Sequence, residues 1–375
     1  MDRIIGVCLF GVLLLSAAGC GLWPDKALTG PADQVIYHGF DWPPRIRYGT
    51  YPCAIVGTPL FGADLGEHAY YWSPAEKDGI VYTCRAGHID IIHLRIAADW
   101  TAYLTAEAYR HLMKGHWQFS YKLAVDRSRN YVQIFYPSDW DSLTEQDRSA
   151  IAREVALALG PYLTYTMVTW HEILTWYGFK CIGLPVEYAS AFSWEDSFSN
   201  LLGTILAVRA LQDTEHGYNE AMKIAIDQEL RSLGIQPARV AKEASDSVKG
   251  RWFTGDIAVF VDMKKRNFDI GLDDGFVTAT LVPGEPACPG AEPVSYPVPT
   301  LDVLDRYGFA AAISIEPHEW EKDAVLRLVH ENSRVYPQAE FPAIMEYLHR
   351  EAAARYGPEY DLGRETASPL AYKGE

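Results

Sequence analysis

The stretch Thr169-Trp170-His171-Glu172-Ile173-Leu174-Thr175-Trp176-Tyr177-Gly178 sets the tightest condition on the fold, because it puts two ionisable side chains inside an apolar, aromatic run. Val168, Thr169, Trp170, Ile173, Leu174, Trp176 and Tyr177 leave little face for water. A carboxylate in such surroundings must be paired, neutralised or bound to a metal. The run therefore predicts a buried helix whose polar partners come from elsewhere in the chain. The length allows this: 375 residues, 49% hydrophobic and 22% charged, suit one large domain or two small ones.

Those partners can be sought in chain order. Asp78 to Cys84 reads as a strand, and apolar residues recur at helical spacing from about Ile89 to Met113, where Gly115 stops them. Phe119–Val125 and Tyr131–Tyr136 alternate around a polar loop and predict a hairpin. Ser142 to Glu145 resembles a capping box opening a helix to about Leu159. Gly160-Pro161 predicts a break, with a new helix carrying His171 and Glu172 to Gly178. Further helices are expected from Ser193–Asp196 to about Leu211, over Asn219–Leu233, and over Pro237–Val248. A hairpin around Asp274-Gly275, a Pro-rich loop over Pro283–Pro299, a strand over Tyr307–Ile315 and a helix over Phe341–Tyr356 complete the reading. The fold class is α+β: a helical middle, flanking β-hairpins and a smaller β-rich C-terminal part. Residues 50–356 are read as one domain, with a β-rich subdomain from about 253 as the alternative division, and 357–375 as a polar tail.

Three segments offer groups that could meet Glu172. Asp90 and His93 stand three apart, on one face of a helix, and could hold an ion together or form an oriented carboxylate–imidazole pair. Glu195 and Asp196 open a later helix, where acids also suit the helix dipole. Arg95 and Asp99, four apart, read as an intrahelical ion pair, and His88 as a turn residue. In zinc peptidases a His-Glu-x-x-His helix binds the metal through two imidazoles while the Glu deprotonates its water. Here the fifth position is Thr175, a poor zinc ligand, so any ion on His171 needs a second imidazole, and His93 could supply it. The segment from Glu195 to Asn200 has a weak local similarity to the third-ligand helix of thermolysin-like (gluzincin) peptidases: Asp196 takes the acid's place and Asn200 stands where Asp is usual. The expected site is thus a zinc-like ion on His93, His171 and one of Asp90, Glu195 or Asp196. Glu172 would be its general base, or a ligand. The cluster Asp269, Asp273, Asp274 lacks the spacing of a calcium loop and is explained by a tight turn.

The N-terminus carries a second kind of information. Arg3 precedes an apolar run, Ile4–Leu15, of signal-peptide length, too short to span a bilayer. Ser16-Ala17-Ala18-Gly19-Cys20 resembles a bacterial lipoprotein signal with Cys20 as the lipidated residue, so 1–19 reads as signal and 20–49 as tether and lead-in loop. Gly21 after the cysteine resembles the signals sorted to the outer membrane. Export implies an oxidising compartment, where Cys53, Cys84, Cys181 and Cys288 could form two disulfides. Three connectivities exist; Cys53 with Cys84 is the pairing expected first. A net charge of -16 argues against a nucleic-acid surface, since the longest basic cluster is Lys264-Lys265-Arg266.

The stretches Gly87–Arg95, Trp170–Gly178, Ser190–Asn200 and Arg266–Gly275 together resemble the bacterial exported-protein family called domain of unknown function 4056, over about residues 50–350. The resemblance implies an envelope location and lipoprotein character and transfers no catalytic residue. The reading is an outer-membrane lipoprotein facing the periplasm, lipid-anchored through Cys20. It is a metal-dependent hydrolase of peptide, amide or peptidoglycan bonds, or a relic of one. Peptidoglycan and envelope proteins are its natural partners. The alternative is a non-enzymatic binding or structural lipoprotein that uses its aromatic surface, in which His171 and Glu172 lie apart from His93.

Overall fold

A computed structural model gives the structure of residues 40–47, 51–123, 126–178, 188, 190–257, 261–318, 322–331 and 333–363. The signal segment with Cys20, and also Cys181, lie outside the described residues. The chain is α+β, with eight helices and nine strands among those residues. A hairpin of β1 (Ile80–Thr83) and β2 (Gly87–Asp90) leads straight into α1 (Ile91–Met113). The expected helix therefore starts two residues later, and His88 belongs to a strand. Asp90 is both the last residue of β2 and the cap of α1: its side chain accepts from the Ile92 and His93 amides. A Gly at 87 is required there, since its φ is +64° and a Cβ would lie 2.1 Å from the Thr280 carbonyl.

Helix α1 is buried on nearly every side and packs against α2 (Glu145–Trp176) and α3 (Asp196–Gln212), while α4 (Tyr218–Ser232) packs against α3. Two glycines set the spacing. A Cβ at Gly160 would meet the Thr105 hydroxyl at 1.9 Å, and one at Gly203 the Leu94 carbonyl at 2.1 Å. The break expected at Gly160-Pro161 does not occur: α2 runs through Pro161 without ending. Proline inside a helix costs about 3 kcal/mol. Val155, Leu159, Leu163, Met167 and Trp170 are buried along the same helix, at roughly 1.5–3 kcal/mol for each large side chain, so packing outweighs the lost bond. The cap also shifts from Ser142. Thr144 accepts from the Asp147 amide and donates to the Asp147 carboxylate, which closes the box one turn into the helix.

Strands β3 (Gln118–Lys122) and β4 (Arg129–Phe135) form the expected hairpin, and β9 (Ala310–Glu316) adds antiparallel to β4, with Val132 opposite Ile313. Between them α5 (Ala238–Val248) is followed by a two-residue pair, β5 (Phe253–Thr254) and β6 (Asp262–Met263). Asp274-Gly275 does not close a local hairpin. Strand β7 (Phe276–Thr278) pairs instead with β8 (Ser295–Pro297), inside the segment expected to be loop. The short helices α6 (Asp302–Arg306) and α7 (Lys322–Leu328) flank β9, and α8 (Pro337–Tyr356) packs against it.

The disulfide differs from the pairing expected. Cys84 bonds Cys288, their Cα atoms 5.1 Å apart, while Cys53 is a free thiol. Cys53 is buried among Tyr82, Trp194, Val240 and Phe253, whereas Cys84 leaves the β1–β2 turn beside the 285–288 loop, where its sulfur nears the Ala287 carbonyl.

Candidate metal centre

The start of α1, the middle of α2 and the start of α3 meet where β2 ends. Asp90 arrives from the hairpin with both carboxylate oxygens committed. Oδ1 accepts from the amides of Ile92 (2.7 Å) and His93 (3.3 Å), and Oδ2 takes His93 Nδ1 at 2.9 Å. The Asp90 amide donates to Ser199 Oγ at 3.0 Å, which ties the hairpin to α3. A neutral imidazole held at Nδ1 by a carboxylate has its tautomer fixed and presents the Nε2 lone pair, the form that a bound metal requires. His93 is the least enclosed member of the group, its side chain 17% exposed.

Glu172 reaches the same place from α2. It is buried, and its Oε2 accepts from the Phe192 amide at 2.9 Å. Asp196, the first residue of α3, is also buried. Its Oδ2 accepts from the Ser193 amide at 2.9 Å, in the turn that leads into the helix. The Ser193 hydroxyl turns instead to Glu195, 2.9 Å from both carboxylate oxygens. Asp196 Oδ1 has no hydrogen-bond partner and lies 3.6 Å from His93 Nδ1. One ligand-capable atom each of His93, Glu172 and Asp196 lies within 4.8 Å of the other two, the one such group of three among the described residues.

The electrostatics follow from four carboxyl groups around one imidazole. Burial disfavours charge on Asp196, the negative Glu172 and Asp90 add to it, and its acid is held well above the usual carboxylate range. Burial, Asp196 and Asp90 do the same to Glu195. For His93 burial opposes protonation, yet Asp196, Asp90 and Glu172 outweigh it and hold the imidazolium well above the usual histidine range. The cluster is thus short of positive charge, and a dication would supply it.

The structure separates the expected residues. Glu172, Asp196, Asp90 and His93 come together, and Glu195 stands behind them on Ser193. His171 does not join. Adjacent helical residues point about 100° apart, and its Nδ1 lies 3.4 Å from Asp126 Oδ2 on another side of α2. Thr175 is no ligand; its hydroxyl donates to the Glu172 carbonyl. His88 is buried, bonded through Nε2 to the Ala241 carbonyl and through Nδ1 to the Trp194 indole. Asp269 accepts from the amides of Gly271 and Thr278, as a turn-former does. Sequence reasoning missed the amides of Phe192 and Ser193 and the Ser199 hydroxyl. Backbone donors carry no residue signature. Two surface clefts of about 470 and 650 Å³ lie elsewhere, on α5 with the 284–287 loop and on α2 near Gln146–Leu157, and none of these groups lines them.

A protein-family model matches residues 65–274, which contain all four groups of the centre and Glu195. No curated protein and no solved structure matches the chain. The matched segment spans more than half of the sequence, and on that basis the chain belongs to the family described as protein of unknown function (DUF4056).

Proposed function

We propose that this protein holds a divalent metal ion on His93, Glu172 and Asp196, with Asp90 orienting the imidazole, and that the ion activates water to hydrolyse a peptide, amide or peptidoglycan bond in the cell envelope. The observation that carries this reading is Asp196 Oδ1, a buried carboxylate oxygen without a hydrogen-bond partner, in a group of three ligand atoms within 4.8 Å. Zinc bonds of about 2.0–2.2 Å place tetrahedral ligands roughly 3.3 Å apart, so the three side chains would draw in from their present separation of up to 4.8 Å to hold an ion. One imidazole and two carboxylates suit zinc, and also manganese or iron(II). Three protein ligands leave a position for water, whose pKa the metal lowers to about 7. His93 is the most exposed of the three, its side chain 17% open to solvent.

The non-enzymatic alternative places both His171 and Glu172 apart from His93; His171 does lie apart, on Asp126, while Glu172 falls within the 4.8 Å grouping. Exposed aromatic side chains do exist: Trp42 and Trp72 are both more than half exposed. They are compatible with either reading.

The metal is tested by elemental analysis of mature protein purified without chelator. About one equivalent is expected, and none in Asp196→Asn or His93→Ala. A parent with no bound metal that also takes up neither added Zn²⁺ nor Mn²⁺ rules the site out. Hydrolysis is tested by metal-dependent release of fragments from purified peptidoglycan and model amides. The lipid anchor on Cys20 is tested by mass spectrometry of the mature N-terminus and by loss of membrane association in Cys20→Ala.

A further inference from the structure

The turn at 190–193 has a conformation that its own sequence does not favour. Phe192 has φ +52°, in the left-handed region, and its ring is fully buried. A bulky residue held there is strained and persists only where its surroundings over-determine it. The surroundings are specific. The Arg266 guanidinium donates through Nη1 to the carbonyls of Ala191 and Tyr188. The Asn267 amide donates to the Phe192 carbonyl at 3.0 Å, and the Phe192 ring packs on Phe268. Arg266 is itself 1% exposed, stacked on Trp176, Tyr188 and Tyr356 with its carbon 5.1–5.6 Å from the ring centres.

What this produces is two successive amides serving two carboxylates from different helices. The Phe192 amide takes Glu172 Oε2 and the Ser193 amide takes Asp196 Oδ2, each at 2.9 Å. Successive N–H groups around a left-handed residue form a concavity suited to anions. Each carboxylate keeps one oxygen for another partner: Glu172 Oε1, and Asp196 Oδ1, which has no hydrogen-bond partner. We infer that Arg266 is a positioning residue for the metal ligands, and that it acts by holding the 190–193 turn in the conformation that orients Glu172 and Asp196. This rests on the metal reading above. An arginine suits the position because its Nη1 donates to both carbonyls while its planar face stacks on rings.

The test is titration of the chelator-stripped full mature chain with Zn²⁺ and Mn²⁺, alongside thermal melting of the same samples. Arg266→Met is expected to weaken metal binding roughly 10–100-fold, the usual loss when an outer-shell partner of a metal ligand is removed. Leu230→Ala, a remote core truncation in α4 matched for loss of melting temperature, should bind like the parent. If Arg266→Met does not fold, Arg266→Gln, which keeps a single donor, carries the comparison. Arg266 variants that bind like the parent, or lose no more than Leu230→Ala, overturn the positioning role alone. A parent that takes up neither ion overturns the metal reading and this inference with it.

Discussion

Helix α1 carries two buried charge clusters within three turns, and they are built on opposite principles. At its start, Asp90 and His93 meet Glu172, Glu195 and Asp196, an excess of acid. One to two turns later, Arg95 and Asp99 meet Arg45, Arg47, His68, Glu76, Asp78 and Tyr218. There three carboxylates face three guanidinium groups. Asp99 is saturated: Arg47 lies at 2.6 Å, His68 at 2.9 Å and the Tyr218 hydroxyl at 3.1 Å. Burial alone would raise its acid, but Arg47 and His68 outweigh burial and hold it well below the usual carboxylate range. Asp196, equally buried, moves the other way. Depth does not separate the two; the supply of cations does. The balanced cluster serves the fold. The acidic one has a place for a cation that the chain itself does not bring.

The largest test of this contrast is to remove one carboxylate from each. Asp99→Asn breaks one of Arg47's two buried pairs, leaving it Glu76 at 3.0 Å, and sets three guanidinium groups against two carboxylates; breaking a buried pair costs about 3–5 kcal/mol. Asp196→Asn removes one of several mutually repelling acids, so the metal-free protein should be at least as stable as the parent. Urea unfolding in chelator measures both. Equal destabilisation by the two substitutions would erase the distinction.

The next effect is that of metal. An ion that binds only the folded protein stabilises it by about 2.7 kcal/mol at a hundredfold excess over Kd. Zn²⁺ or Mn²⁺ added to the stripped parent should raise the melting temperature, and Asp196→Asn should remove the rise. A variant that weakens the balanced cluster mildly, such as Tyr218→Phe, should keep it. A metal response that survives Asp196→Asn would place the ion elsewhere.

The acid cluster was legible in outline and its composition was not. Asp90 and His93 share a helix face by spacing alone, and a carboxylate at 172 amid aromatics needed a partner. Choosing between His171 and Glu172 required the rotational phase of α2. Apolar residues on all sides of that segment leave no polar face from which phase can be read. Burial of this kind also carries α2 through Pro161, against the local signal. Arg95 and Asp99 have the spacing of an intrahelical pair, but both turn to residues 45–78, which lack a periodic pattern. The β7–β8 pairing and the Cys84–Cys288 bond are likewise long-range, set by how the segments pack and not by any local signature.

The third effect is that of pH, and its sign differs between the clusters. Asp196, Glu195 and His93 have folded-state pKa values raised above their unfolded ones. The stability the acids contribute is full below about pH 4 and falls as pH rises through their raised values; that of His93 is full below about pH 6.5 and falls above it. Asp99 is depressed, so its contribution is full above about pH 4 and is lost as pH falls. In chelator the parent should therefore lose stability as pH rises from 5 to 8, by up to about 1.4 kcal/mol per pH unit for each proton released. Asp196→Asn should flatten that slope, and bound metal should reverse it. A parent whose stability rises over that range in chelator would contradict the acid excess.

The smallest effect is expected at Glu195, and it separates a ligand from a bystander within one cluster. Glu195 neighbours Asp196 in sequence and is as deeply buried, but both its oxygens lie 2.9 Å from the Ser193 hydroxyl and it is outside the group of three. Its acid is held well above the usual range, first by burial and then by Asp196 and Asp90, which favours the uncharged form. Glu195→Gln keeps that shape and charge and retains an oxygen to accept from Ser193. The change in stability should be about 1 kcal/mol or less, the order of one neutral hydrogen bond. Metal affinity should stay close to the parent's, while Asp196→Asn, one residue away, abolishes binding. A loss of binding in Glu195→Gln as large as in Asp196→Asn would make Glu195 a ligand and enlarge the site to four protein groups.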